Sequence, residues 1–160
     1  MQPATLPQIK KALGEMTQPE LVALCLKVAK YKKDNKELMT YLLFEAEDEA
    51  GYIKAVNEEV KEIFSEINRW SGYQAKKTVR KGLRIANKYI KYSPASGTDI
   101  EILINFCLLL KKAPMIIRNS QTVINIYDRQ LVRINKSIAK LHEDLQYDYT
   151  QLLEESGLVE

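Results

Sequence analysis

Apolar residues recur at the three- and four-residue spacing of an α-helix along nearly the whole chain, and no stretch shows the sustained alternation of a β-strand. Gly and Pro number only 6 and 5, so turns are few and the helices should be long. The pattern predicts an all-α protein of about seven helices joined by short turns, which makes consecutive helices antiparallel neighbours. We expect a single helical domain over residues 1–160, built as antiparallel hairpins in an α-α superhelix-like array or, alternatively, as a closed helical bundle.

Capping signals mark the helices near the N-terminus. After a first short helix at 6–14, Thr17 and Glu20 have the spacing of a capping box, and Pro19 suits the first turn of the second helix. A third, short helix follows the polar stretch "KKDN" at 32–35. The helical period predicts that one apolar face of these two helices points inward, namely Leu21, Leu24, Cys25 and Val28 on the second helix and Leu38, Leu42 and Leu43 on the third.

A helical hairpin is predicted in the middle of the chain. Asp48 and Glu49 open its first helix, whose apolar positions form one narrow stripe: Ile53, Val56, Val60, Ile63, Ile67 and Trp70. "SGY" at 71–73 then turns the chain into the stretch "KKTVRKGLRIANKYIKY" at 76–92. At 100° per residue, the apolar side of this second helix is Ala75, Val79, Gly82, Leu83, Ala86 and Ile90, widened by Ile85 and Tyr89.

The C-terminal half begins after the loop "SPASGTD" at 93–99. Thr98 and Glu101 predict a second capping box, and Pro114 ends or kinks the helix that follows. From about Ser120 the helical pattern continues to Gly157, which would make a helix about 50 Å long. Because that length exceeds the diameter of a small domain, we expect this helix either to break near 142–147 or to project and pair with something, for example in a homodimer.

Charges are unevenly distributed along the central hairpin. Residues 45–68 hold eight acids and two bases, whereas residues 69–92 hold eight bases and no acid. On the helical wheel, the outward face of the second helix carries a set of six candidate binding residues: Lys77, Arg80, Lys81, Arg84, Lys88 and Lys91. A basic helix face is typical of a solvated surface, and also of one that binds nucleic acid, an anionic membrane or an acidic protein.

Candidate chemistry is sparse. His142 is the only histidine, and it lies with Asp144 and Asp148 in a polar cluster from which a general acid–base site could be drawn. A helix-borne histidine is more often a surface or interface residue. One histidine and two isolated cysteines argue against a zinc or di-iron site, and no nucleotide-binding or nucleophile-elbow motif occurs. We therefore predict no catalytic residue, no metal and no cofactor.

Composition narrows the protein class further. The 160 residues are 46% hydrophobic and 28% charged with a net charge of +3, as in ordinary soluble proteins. Cys25 and Cys107 lie in apolar stretches and are expected to be buried free thiols in a reducing compartment. The N-terminus lacks a secretory pattern, and the longest apolar run is half the length of a membrane span. We expect a cytoplasmic protein with no membrane partner.

Three stretches carry a resemblance to a known family. "KALGEMTQPELVALCLKVAKYKKDNKELMTYLL", "QAKKTVRKGLRIANKYIKYSPASGTDIEILINFCLLL" and "LHEDLQYDY" are together similar to an uncharacterised family of bacterial helical proteins of about this length. His142 and Asp144 match positions associated with that family. The resemblance implies an all-α cytoplasmic protein and carries no activity with it.

These observations lead to a ranked set of functional hypotheses. The first is a non-enzymatic interaction or adaptor protein whose helical surface binds another protein. The alternative is a nucleic-acid-associated protein that uses the basic helix at 76–92. The third is a small enzyme around His142.

Overall fold

The chain is all-α, as its periodicity predicts. The computed structural model describes residues 1–65, 67 and 72–159, and within them it contains nine α-helices, one π-helical turn and no β-strand. The α-helices are α1 Leu6–Gly14, α2 Gln18–Tyr31, α3 Lys33–Thr40, α4 Glu49–Phe64, α5 Gly72–Ile90, α6 Thr98–Lys111, α7 Met115–Arg118, α8 Gln121–Ile138 and α9 Glu143–Glu155. Their number exceeds the predicted seven because a short helix follows Pro114 and the C-terminal segment forms two helices.

The chain divides into two compact units, Met1–Phe44 and Glu45–Glu160. The organisation as one domain over 1–160 therefore stays a prediction, and each unit is described by itself.

The first unit contains α1, α2 and α3. The predicted capping box at the start of α2 is confirmed, since the Thr17 backbone N–H donates to Glu20 Oε2 at 2.7 Å. The hydrogen bond from the Thr17 hydroxyl and, next, this one from its backbone lower the pKa of the Glu20 carboxyl. Helices α2 and α3 pack together, and Asn35 Nδ2 donates to the Val28 carbonyl at 2.9 Å. A π-helical turn over Tyr41–Glu45 follows α3, where the first unit ends.

The predicted inward face of the first unit is largely wrong. Leu21, Leu24 and Leu38 are only half-buried, whereas Cys25, Val28, Leu42 and Leu43 are exposed. In the whole first unit the one buried residue is Tyr41. The period of an amphipathic helix identifies which residues share a face, but burial also requires an opposing layer, and α1–α3 do not supply one.

Helix α6 is the central helix of the second unit. Buried residues lie on all its sides, because it packs against α4, α5 and α8. They are Thr98, Ile100, Ile102, Leu103, Ile104, Phe106, Cys107 and Leu110. Burial raises the pKa of the Cys107 thiol to about 12, so the expectation of a buried thiol is confirmed for Cys107 and wrong for Cys25.

Helices α4 and α5 form the predicted hairpin. Asp48 caps α4 by accepting a hydrogen bond from the Gly51 backbone N–H, and the apolar stripe of α4 turns inward, with Ile53, Val56, Val60 and Ile67 buried and Ile63 half-buried. Trp70, the last predicted member, lies outside the described residues. The Phe64 ring closes the hairpin by packing on Gly82 of α5, where a Cβ would come within 2.6 Å of Phe64 Cε2.

The predicted long C-terminal helix breaks rather than projects. Helix α8 ends at Ile138, and the extended residue His142 precedes α9, so the break lies at the N-terminal edge of the predicted region. Two acids, Glu143 and Asp144, occupy the first turn of α9, where they favour a helix N-terminus. Helix α9 ends at Glu155, and just beyond it the positive φ of 63° at Gly157 lets the Leu158 N–H bond the Leu153 carbonyl.

Candidate interaction surfaces

The basic face of α5 points away from the core, as the helical wheel predicts. Ala75, Val79, Gly82 and Ala86 are buried on the opposite side. Of the six candidate binding residues, five are exposed and one is half-buried: exposed are Lys77, Arg80, Lys81, Arg84 and Lys91, and half-buried is Lys88. Two of them lie over tyrosine rings, with Lys77 Nζ 4.7 Å from the Tyr73 centroid and Lys88 Nζ 4.3 Å from that of Tyr89. The α5 bases therefore form one solvent-facing surface.

This basic face continues beyond α5. Arg133 of α8 donates a hydrogen bond from Nη1 to Asn87 Oδ1 on α5, so its guanidinium is held against α5. Helix α7, which ends at Arg118, also packs against α5. Arg69, the base that precedes α5 in the sequence, lies outside the described residues. The electrostatic consequence is a positive region that spans more than one helix.

The polar cluster at the start of α9 is open to solvent. His142 Nδ1 lies 3.5 Å from Asp144 Oδ2, and their side chains are 78% and 92% exposed. Asp148 is exposed as well. The structure thus brings His142 and Asp144 together but leaves both side chains open to solvent, outside any enclosed pocket. A general acid–base site needs groups that hold a substrate against the proton carrier, and these two side chains face open solvent.

Sequence reasoning missed a network of carboxylates and hydroxyls around the α5–α6 loop. Glu49 at the start of α4 accepts hydrogen bonds from Ser93 Oγ and Thr98 Oγ1, both at 2.5 Å. The predicted Thr98–Glu101 capping box is therefore wrong, because the Thr98 hydroxyl binds Glu49 and Gly97 occupies the N-cap of α6 with a φ of 98°. The network fixes the loop to α4.

The two acids in the first turn of α6 extend this network to α8 and α9. Asp99 Oδ2 accepts a hydrogen bond from Ser137 Oγ at 2.5 Å, and Glu101 Oε1 accepts one from the Tyr149 hydroxyl at 2.9 Å. Burial and, next, the hydrogen bond to Glu101 raise the pKa of Tyr149. The same hydroxyl would lie 2.6 Å from a Cβ at Gly97, so a side chain there would displace it. Tyr149 thus attaches α9 to the N-terminus of α6.

A second feature missed from the sequence is the exposure of apolar side chains throughout the first unit. On α1 the stripe Leu6, Ile9 and Leu13 faces solvent, with Leu6 80% exposed. Besides Met1 and Tyr31, nine large apolar side chains of this unit are exposed, and we call them the N-terminal apolar surface: Leu6, Ile9, Leu13, Val22, Leu26, Val28, Leu42, Leu43 and Phe44. Scattered exposed apolar residues are normal, but this unit combines nine of them within 44 residues with a single buried residue.

Within residues 1–65, 67 and 72–159, no three His, Cys, Asp or Glu side chains are grouped so as to hold a metal ion. Over the same part of the chain, none of the helices combines the length and the apolar character needed to cross a bilayer.

Comparisons with protein families, with curated proteins and with solved structures find no match to this chain. The resemblance to a bacterial helical family therefore stays a prediction, and function has to be argued from the surfaces themselves.

Proposed function

We propose that this protein is a non-enzymatic interaction protein that binds another protein through its N-terminal apolar surface. The observation that supports the proposal is the mismatch in the first unit between nine exposed large apolar side chains and one buried residue. Exposed apolar surface of this density on a short helical unit is what a partner covers in a helix-in-groove or helix-on-helix complex.

The small size of the first unit favours the same interpretation. Units of about 40 residues seldom fold on their own core and usually need a disulfide, a metal or an association. Cys25, the cysteine of the first unit, is free, and among the described residues no three His, Cys, Asp or Glu side chains are grouped to hold a metal ion, so we infer association. Full burial of one Leu, Val or Phe side chain contributes roughly 1.5–3 kcal/mol. A partner that covers four or five side chains, each already partly covered, would contribute about 4–8 kcal/mol by the same rule before the costs of association.

The positive charge of the first unit indicates which charge the partner should carry. Residues 1–44 contain seven bases and four acids, so this unit alone accounts for the net charge of +3. Lys10 and Lys11 on α1 and Lys36 on α3 are all exposed. We expect the partner to offer an apolar surface with Asp and Glu at its rim, since complementary rim charges speed association and select the register. The free thiols fit the reducing cytoplasm, where we place the complex.

Affinity capture with a matched pair of variants tests the proposal. Val22→Gln with Leu26→Gln changes two exposed apolar side chains of α2, and Lys27→Gln with Lys30→Gln changes two exposed polar ones on the same helix. We expect proteins captured from native lysate by the wild type and by the lysine variant to be lost by the apolar variant, at unchanged melting temperature. Identical capture by all three, or loss by the lysine variant alone, would refute the proposal.

Two other occupants of this surface give distinct results. If the surface covers a second copy of the chain, sedimentation velocity will show a dimer that the Val22→Gln/Leu26→Gln variant lacks. If it lies on a membrane, the wild type will float with lipid vesicles and the variant will not. Either result would contradict a protein partner of different sequence.

A further inference from the structure

Helix α8 carries a basic stripe of its own. Arg129, Arg133 and Lys136 follow the spacing i, i+4, i+7, which places them on one side of the helix, and Lys140 continues the series just after its end. Arg129, Lys136 and Lys140 are exposed, and Arg133 is half-buried. The one acid of α8 is Asp128. On the helical wheel of α8, the stripe lies next to the side that carries the buried residues Gln130, Ile134 and Ile138, and not on that side itself.

The stripe faces the basic side of α5 across a defined junction. Arg133 donates to Asn87, and Asn87 stands between the two helices. At 100° per residue, Arg80, Arg84 and Lys91 all lie within about 60° of Asn87, on its solvent side. The same geometry puts Arg129 and Lys136 within about 60° of Arg133 on the solvent side of α8. The two stripes therefore border one seam from opposite sides.

The resulting surface consists of six bases, which we call the α5–α8 basic surface: Arg80, Arg84, Lys91, Arg129, Arg133 and Lys136. Among the residues that the structure describes, none of the six forms an ion pair with a carboxylate. Basic residues that stabilise the fold would form ion pairs with acids on neighbouring helices. The six bases are grouped together instead, although the second unit as a whole has as many acids as bases, 17 of each. Such a separation of charge focuses a positive potential on one side.

We infer that the α5–α8 basic surface binds the sugar-phosphate backbone of double-stranded nucleic acid without sequence preference. From Arg80 to Lys91 the surface is about 16 Å long, and neighbouring helix axes lie about 8–10 Å apart. That area matches about five base pairs of a duplex, whose phosphates supply one charge per ~1.7 Å of axis. Four of the six bases are arginines, whose planar forks suit phosphate oxygens better than lysine does.

Other polyanions fit this surface less well. A helix that lies on a membrane presents several Trp, Phe or Leu side chains beside its bases, whereas on α5 the one such residue is the half-buried Leu83. An acidic peptide would be held through carboxylates that alternate with uncharged residues, whereas two rigid basic stripes match a regular line of phosphates. The inference does not rest on the N-terminal apolar surface, because the six bases all belong to the second unit.

Fluorescence anisotropy with a labelled duplex DNA and a labelled duplex RNA of mixed sequence tests the inference. We expect the full-length protein to bind both with a Kd of roughly 1–100 µM, and log K to fall with log salt at a slope near −5 if all six bases contact phosphates. Arg129→Gln with Lys136→Gln should weaken binding at least about tenfold and reduce the slope by about 2. Lys54→Gln with Lys112→Gln removes the same charge from exposed positions elsewhere in the unit and should change neither value.

Each contrary result has a clear meaning. No duplex binding by the wild type at about 50 mM salt would overturn the inference, as would equal losses in the α8 variant and the Lys54/Lys112 control. Tighter binding of phosphatidylserine vesicles or of poly-glutamate than of duplex would overturn the assignment to nucleic acid. Melting curves of both variants separate a lost contact from a lost fold. The Val22→Gln/Leu26→Gln variant should bind duplex like the wild type, so this test and that of the N-terminal surface fail independently.

Discussion

Replacement of Tyr149 by Phe removes a hydroxyl that connects two helices far apart in sequence. The hydroxyl donates to Glu101 Oε1 at 2.9 Å and lies against Gly97 at the start of α6. A hydrogen bond to a charged group contributes roughly 1.5–3 kcal/mol, and partial solvent exposure of this pair reduces the figure to about 1–2 kcal/mol. At about 2–4 °C per kcal/mol for a chain of this size, we expect Tyr149→Phe to lower the melting temperature by about 2–8 °C.

The same tyrosine gives this stability a pH dependence of known sign. Burial and the bond to Glu101 raise the pKa of Tyr149 above its unfolded value of about 10. A raised pKa in the folded state means that the contribution is fully present below about pH 10 and is lost as the pH rises toward the folded pKa. The difference in unfolding free energy between the wild type and Tyr149→Phe should therefore shrink from about pH 9 upward.

Thermal melts followed by circular dichroism measure the first effect, and denaturant unfolding at neutral and at alkaline pH measures the second. Tyr147→Phe is the matched control, because Tyr147 is 70% exposed on the same helix and should change stability by less than about 0.5 kcal/mol. Equal stabilities for the two variants, or a difference from wild type that grows with pH, would refute the role assigned to Tyr149.

Two further predictions concern packing and thiol access. Gly82→Ala should lower the free energy of unfolding by about 1–3 kcal/mol, because the added methyl group would overlap the buried ring of Phe64. Gly72→Ala on the same helix is the control and should be nearly neutral, because its methyl group meets no atom within 4 Å. Thermal melts of both variants check the difference. Native labelling with a thiol reagent should modify exposed Cys25 within minutes and buried Cys107 only on unfolding, and rapid modification of Cys107 would show that α6 is not central.

The hairpin of α4 and α5 could be predicted because its determinants are local. Ile53, Val56 and Val60 keep the helical period, Asp48 caps its own helix, and the basic residues of α5 fall on the side that the wheel assigns to solvent. Long-range partners were beyond this reasoning. Thr98 has the spacing of a capping residue, yet Gly97 occupies the N-cap of α6, and the Thr98 hydroxyl donates instead to Glu49, which is 49 positions away.

The two candidate surfaces likewise combine local features that the sequence predicts with long-range contacts that it does not. The spacing of Arg129, Arg133 and Lys136 could have revealed the α8 stripe from the sequence, but its junction with α5 depends on the bond between Arg133 and Asn87, which only the fold brings together. Likewise, the helical period shows which apolar residues of α1 and α2 share one face of their helix. It does not tell whether the layer that covers them belongs to this chain or to another, and this is why the predicted interior of the first unit was wrong.

The central claim is that the exposed apolar side chains of the first unit form a protein-binding surface. Isothermal titration calorimetry with the purified captured partner tests it most directly, because burial of apolar surface gives a negative heat-capacity change of binding. We predict such a change for the wild type and for Lys27→Gln/Lys30→Gln, and a Kd at least about tenfold weaker for Val22→Gln/Leu26→Gln, which corresponds to about 1.4 kcal/mol. Equal affinity for all three proteins, or binding without a heat-capacity change, would contradict the claim.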